Sequence, residues 1–286
     1  MKKTLRLTYP QWQGGMNPDY VFGAELLELI APLGSSAERA VISVNRDFHL
    51  QQQTDGVDCG TMLLEQAREA ERILQEKQPD RVIVFGGDCA VTQVPFDYLS
   101  GIYGDEIGLL WLDAHPDCST VRESSHLHEM VMGNLIGLSP DSEITAVKHP
   151  YAADRVLLAG LIEEALRPMD MACRQKGIPV VSPESLKKDS KEVLSWIEET
   201  KIRYVAVHWD LDVLSPSDFR SIYPAEPYTD PQEFRAAVGR MKLTEITKLL
   251  CDISEKTEIV GLSMTEHLPW DAFRLRKALS GIPIFE

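Results

Sequence analysis

Two apolar runs in this chain each deliver carboxylates at alternate positions. Gly108-Leu109-Leu110-Trp111-Leu112 leads into Asp113-Ala114-His115-Pro116-Asp117, and Tyr204-Val205-Ala206-Val207-His208-Trp209 leads into Asp210-Leu211-Asp212. Alternate side chains of an extended segment share a face, so Asp113, His115 and Asp117 form one set of ligand-capable groups and Asp210 and Asp212 another. Four carboxylates gathered in one cleft repel and raise each other's pKa unless cations neutralise them. A metal centre is the economical reading of that pattern.

Positioning these groups requires strands that end together. Short β-rich runs recur at residues 5–8, 40–44, 81–85, 107–112, 155–159, 179–181, 204–209 and 258–264. Helical periodicity occupies 61–77, 163–176, 185–200, 231–250 and 271–279, with Pro231 suited to a first helical turn and Asp230 to its cap. Strands alternating with helices predict an α/β fold: one open, mostly parallel sheet of about eight strands with helices on both faces. No linker or repeat divides the 286 residues, so residues 1–286 are expected to form a single domain. The irregular stretches 45–60, 114–126 and 213–230 each follow a strand and should share one rim, where open α/β sheets collect ligands.

A formal net charge of −15 argues against a nucleic-acid surface and favours a cationic or metal-bound partner. Five scattered cysteines without CxxC spacing fit a reduced, cytoplasmic setting. No apolar run is long enough to span a bilayer, and no signal pattern opens the chain, so no membrane partner is expected.

Phe85 ends a further apolar run, and Gly86-Gly87-Asp88-Cys89 follows; alone, that tripeptide and its cysteine read as a turn. The ordered series GGDC, DAHPD, DLDVLSP and TEHLP closely resembles the ureohydrolase superfamily, that is arginase, agmatinase and their relatives. Signatures there read GGDH, DAHxD, DxDxxDP and ExxP, and the likeness runs from about residue 40 to residue 285. It implies an open parallel sheet whose strand ends hold two manganese ions. Asp113 and Asp210 become bridging ligands, Asp117 serves one ion, and His115 and Asp212 serve the other.

Cys89 stands where the family has its sixth ligand, a histidine. Manganese prefers oxygen and imidazole, whereas thiolate favours zinc or iron, so two arrangements stay open: an altered two-metal site, or one strongly held ion with Cys89 outside the ligand set. The implied reaction is attack of metal-activated hydroxide, from ions about 3.5–4 Å apart, on a guanidino or amidino carbon, releasing an amine and urea or a related product. His128, in Leu127-His128-Glu129-Met130, resembles the segment carrying the family's proton-shuttling histidine. Glu266 matches the glutamate that hydrogen-bonds the guanidinium, and Asp117 joins them as a catalytic group.

The stretch Cys118-Ser119-Thr120-Val121-Arg122-Glu123-Ser124-Ser125-His126 is shorter than the substrate loop of arginases, with Ser119 as its expected substrate contact. Glu163 falls near the aspartate that contacts the substrate amine, while Ile162 replaces the family arginine. These departures leave arginine unsecured as the substrate and make a different small guanidino or amidino compound credible. The resemblance also implies a homo-oligomer.

Other readings attach to single residues. Cys118 is either an ordinary buried cysteine or a neighbour of Cys89. His208 is either a buried, hydrogen-bonded core histidine or a group that fixes a metal ligand. Two competing functions follow from the same residues: a catalytically silent relative whose metal site is impaired at Cys89, and a deacetylase-like amide hydrolase using zinc.

Overall fold

The structure is a computed structural model and describes residues 2–34, 37–49, 52–140, 142–230, 234–282 and 284. Eight parallel strands form one sheet: β1 (Thr4–Tyr9), β2 (Glu38–Val41), β3 (Arg81–Gly86), β4 (Ile107–Leu112), β5 (Val156–Ala159), β6 (Val180–Val181), β7 (Tyr204–Asp210) and β8 (Glu258–Thr265). Their order across the sheet is β2-β1-β3-β8-β7-β4-β5-β6. The four strands that carry the motifs, β3, β8, β7 and β4, are therefore immediate neighbours at its centre. Register aligns their carboxyl ends, with Phe85 opposite Met264, Trp209 opposite Met264, and Leu112 opposite Trp209.

Helices cover both faces: α1 (Tyr20–Ile30), α2 (Gly60–Lys77), α3 (Gln93–Tyr103), α4 (Val131–Leu135), α5 (Ala172–Gln175), α6 (Pro183–Leu186), α7 (Lys191–Thr200), α8 (Leu243–Ser254) and α9 (Trp270–Leu279). Every residue of β4 is buried. Leu109 and Trp111 join one core with Phe96 and Leu99 of α3, whereas Leu110 and Leu112 join the other with Trp196 and Ile197 of α7. That parity is the two-residue period of a strand buried on both faces, and each fully buried leucine contributes about 1.5–3 kcal/mol.

Three expected helices differ. The 163–176 segment breaks into single turns at Glu163–Ala165 and Pro168–Asp170 before α5, because Pro168 cannot continue a helix. The 185–200 helix divides into α6 and α7, with Asp189 and Ser190 turning the chain between them. In place of the helix expected from Pro231, α8 begins only at Leu243. Pro231 itself lies outside the described residues, and Met241 instead bridges to Leu214.

Gly87 shows how tightly the rim is built. Its N–H donates to the Tyr9 carbonyl at 3.0 Å and its own carbonyl accepts from Glu266 N–H at 2.7 Å, tying the ends of β1, β3 and β8 together. A Cβ at this position would stand 1.7 Å from the Gln11 carbonyl oxygen, so the backbone would have to move. Gly87→Ala is expected to cost about 3 kcal/mol. A denaturant melt checks this, and a midpoint equal to wild type would contradict it.

Candidate metal centre and substrate cavity

Asp113 follows β4 and folds back, its Oδ1 accepting from the N–H of His115 at 2.7 Å. Asp210, the last residue of β7, does the same with Asp212 N–H at 2.7 Å, and Asp88 after β3 with Ala90 N–H at 3.0 Å. Aspartate bonding its own backbone two residues on is a turn that short acidic side chains form readily. One device, used at three strand ends in the centre of the sheet, turns the chain, and at Asp113 and Asp210 it leaves the carboxylates lining the cavity.

The result is a buried acidic floor. Asp113, Asp117, Asp210, Asp212 and Glu266 are each less than one-tenth exposed and line a single cavity of about 560 Å³ together with Cys89, His115 and His128. All six sequence-predicted metal ligands thus come together. His115 Nδ1 lies 3.0 Å from Asp212 and 3.4 Å from Asp113. Cys89 Sγ donates to Asp210 Oδ2 at 2.8 Å and lies 3.8 Å from Glu266. Asp117 and Glu266 adopt left-handed backbone, with φ of 42° and 61°. Residues without glycine's freedom occupy that region at a cost of about 1–3 kcal/mol each, a strain that clusters at functional sites.

Electrostatics mark the floor as a cation site. Burial, then the charge of Asp212, pushes Asp113 up to about 7. Burial and Asp113 raise Asp117, and burial and Asp212 raise Asp210, both well above the usual carboxylate range. Burial also pushes the Cys89 thiol up, with Asp210 adding to the shift. Burial opposes charge on Asp212 too, but the neighbouring His115 carries its net shift downward; His115 is correspondingly raised.

The donor set fits divalent metal on independent grounds. His115 Nε2 and Asp117 Oδ2 are buried without a hydrogen-bond partner, which buried polar atoms rarely tolerate. Ligand atoms of Asp113, His115 and Asp212 lie within 4.8 Å of one another, as do those of Cys89, Asp210 and Glu266. Oxygen and imidazole in the first group suit a hard ion such as manganese.

Above the floor, His128 Nδ1 lies 3.2 Å from Glu266 Oε1. Burial disfavours the imidazolium, yet the hydrogen bond and charge of Glu266 outweigh it and hold His128 above the usual histidine value. Glu129 beside it receives Arg167 at 2.7 Å, and Arg167 also grips Asp170 through Nε at 2.9 Å, clasping the 119–130 loop to the 163–170 segment. Aromatic Tyr223, Phe234 and Trp270 meet at the mouth, where Tyr223 and Phe234 stand edge to face at 5.4 Å.

Two expected substrate contacts are not brought to the cavity. Glu163 points outward and pairs with Arg174 at 3.0 Å, because the chain turns at 163–165 instead of running on as a helix. Ser119 is buried behind the wall, its Oγ donating to the Glu129 carbonyl at 2.9 Å. Cys118 does not neighbour Cys89: it and Cys173 both donate to the Asp170 carbonyl at 3.1 Å. His267 is buried against α1, its Nδ1 at 3.1 Å from the Gly23 carbonyl. Sequence reasoning missed Arg167, Glu226 and the aromatic mouth. Isolated residues in long loops carry no periodic signal.

Comparison with known proteins gives a consistent picture. The sequence pattern that describes the arginase family matches residues 27–228. A curated arginase of Entamoeba histolytica is 25% identical over 149 residues, covering 48% of this chain and 49% of that protein; the match thus spans about half the length of that relative. Among solved structures, Entamoeba histolytica arginase in complex with L-ornithine superposes with a TM-score of 0.76 at 16% identity, over 94% of this chain and 92% of that one. Bacillus caldovelox arginase gives 0.71 at 20% identity, over 94% and 92%. Proclavaminate amidino hydrolase of Streptomyces clavuligerus gives 0.65 at 18% identity, over 94% and 84%. At these identities the structural likeness establishes a shared fold.

Proposed function

Because the chain belongs to the arginase family, we propose that it is a metal-dependent hydrolase cleaving a linear C–N bond in a small cationic guanidino or amidino compound. The observation that carries this reading is the convergence of four buried aspartates and His115 on adjacent strand ends, with Glu266 and His128 paired above them. Asp113, His115, Asp117, Asp210 and Asp212 would hold the metal, with Cys89 at the variant position. Divalent metal bound there supplies an activated water as nucleophile at neutral pH.

The chain's own residues do the rest. Eight carboxylates line the cavity, among them Asp19, Glu129 and Glu226 away from the floor, against one guanidinium, Arg167, which two of the chain's acids already hold. Such a field concentrates cations and disfavours anionic substrates. Glu266 accepts parallel N–H bonds from the planar cation and aims its carbon at the floor. His128, whose acid form Glu266 favours, delivers the proton that the departing nitrogen needs. The L-ornithine held by the Entamoeba enzyme is likewise a small basic molecule. Strands from both ends of the chain in one sheet support treating it as one functional unit. Among the described residues no helix is long and apolar enough to cross a membrane. A cytoplasmic homo-oligomer is the setting we propose.

The test is urea release from a panel of guanidino acids, guanidino amines and amidines, with manganese, zinc or iron added to metal-free protein. At least one cationic member is expected to yield urea or its amide counterpart in a metal-dependent manner. Hydrolysis confined to acylated amines would overturn the reading in favour of deacetylase chemistry, and no turnover with any metal would favour a silent relative.

A further inference from the structure

Cys89 leaves one of the two metal positions short of an imidazole, and the structure holds a candidate replacement directly behind it. His208, on β7, is fully buried, and its Nε2 has no hydrogen-bond partner. The ring is not loosely placed. Trp111 stacks on it at 3.7 Å between centroids and 19° between planes. Its Nδ1 lies 2.9 Å from Thr92 Oγ1 and 3.0 Å from Ser263 Oγ. Either hydroxyl can accept from Nδ1–H, the tautomer in which Nε2 carries a free lone pair and the one a metal at Nε2 selects. That lone pair faces the floor: Nε2 is 3.8 Å from Asp113 Oδ2. Ligand atoms of Cys89, Asp113, Asp117 and His208 all lie within 4.8 Å of one another, and all four residues are buried.

An ordinary core histidine satisfies both ring nitrogens or exposes one to water. His208 does neither. Asp117, in the same cluster, also has a buried oxygen, Oδ2, without a partner, so two residues with unsatisfied buried atoms share one ligand-sized cluster. A bound cation satisfies both at once. Asp113 is independently steadied there, its Oδ2 accepting from the Trp111 indole N–H at 3.1 Å.

We propose that His208 replaces the histidine missing at position 89, so that Cys89, Asp113, Asp117 and His208 form a sulfur, oxygen and imidazole site for zinc or iron beside a second site of Asp113, His115, Asp210 and Asp212. The inference rests on reading the acidic floor as a metal centre. Its consequence is a centre whose two positions differ in chemical softness: one takes thiophilic metal, the other a harder ion. Cys89 would give up its thiol proton to become a thiolate ligand, so loading the softer site releases a proton to solvent.

Cobalt(II) titration of metal-free protein tests this, since a thiolate ligand gives a near-ultraviolet charge-transfer band. Wild type is expected to bind two ions, one of them generating that band. In His208→Leu the hydroxyls of Thr92 and Ser263 remain bonded to each other at 2.9 Å, which keeps the core satisfied. There the band's affinity should fall about 100-fold or more, the upper end of what outer-sphere losses cost, while the second ion binds as before. Band and affinity unchanged in a folded His208→Leu protein would overturn the assignment and leave the metal centre intact. Two ions bound without any sulfur band would do the same, and no cobalt bound by wild type would overturn both. Should the leucine variant not fold, X-ray absorption at the cobalt edge of His115→Ala with one ion decides: imidazole beside sulfur supports His208, and sulfur with oxygen alone refutes it.

Discussion

Asp210→Asn is expected to abolish urea release, lowering kcat by at least about 10³-fold, beyond the 10–100-fold that losing an outer-sphere partner costs. The substitution keeps the carbonyl-type oxygen that accepts from Asp212 N–H, so the turn at the end of β7 persists. What disappears is the negative charge that would hold metal. The same change should stabilise the metal-free protein, and this opposite sign separates loss of a ligand from simple misfolding. Asp210 is raised by burial and by Asp212, so the folded protein holds its proton more tightly than the unfolded chain does. Such a group contributes stability below its unfolded pKa and loses that contribution as pH rises through its folded pKa. For Asp113 the window runs from the ordinary 3.8 to about 7. Metal-free wild type is therefore expected to melt progressively lower from about pH 4 to pH 7, and Asp210→Asn to melt higher than wild type at pH 7. Added manganese should raise the wild-type melting temperature, by neutralising the floor and by mass action, and leave the variant little changed. A variant as metal-responsive as wild type would rule Asp210 out as a ligand.

His128→Asn is expected to lower kcat by about 10²–10⁴-fold, the range for removing a positioned proton donor, with KM changed only a few-fold. Glu266 holds His128 above the usual histidine value, so the acid form survives past pH 6.5 and activity should decline as pH rises through that raised pKa. The asparagine variant should lose this alkaline limb. Glu266→Gln removes the carboxylate that stabilises the imidazolium, and its limb should shift to lower pH while KM for guanidino substrates rises. Steady-state kinetics from pH 6 to about pH 10 would measure both, bracketing the reference value of histidine. A His128→Asn profile that overlays wild type after scaling would exclude the proton role and leave His128 a packing residue.

The parts of this molecule legible in its sequence are those governed by short-range rules. Residues 107–112 and 204–209 are apolar on both parities and became central strands, and the aspartates directly after them had no room to go elsewhere than the rim. The positions of loop residues obey no such rule. Glu163 sits three residues past the last glycine of its turn, yet whether it faces the cavity depends on a break at Pro168 and on Arg174. Ser119 and Cys118 lie away from their expected neighbours, in a loop tied to 163–170 by the Arg167–Glu129 contact across 38 positions, with Arg167 in turn held by Asp170. His208 was legible as buried, but its bare nitrogen was not, since that depends on Thr92 and Ser263 from two other elements.

The left-handed backbone at Asp117 and Glu266 sets stability and chemistry against each other. Glycine at either position would relax a conformation that a side chain makes unfavourable. Selection for thermal tolerance alone, blind to turnover, should therefore drift toward glycine at residues 117 and 266 and recover sturdier, inert descendants. On the function proposed here, the two acids persist only while turnover is itself under selection.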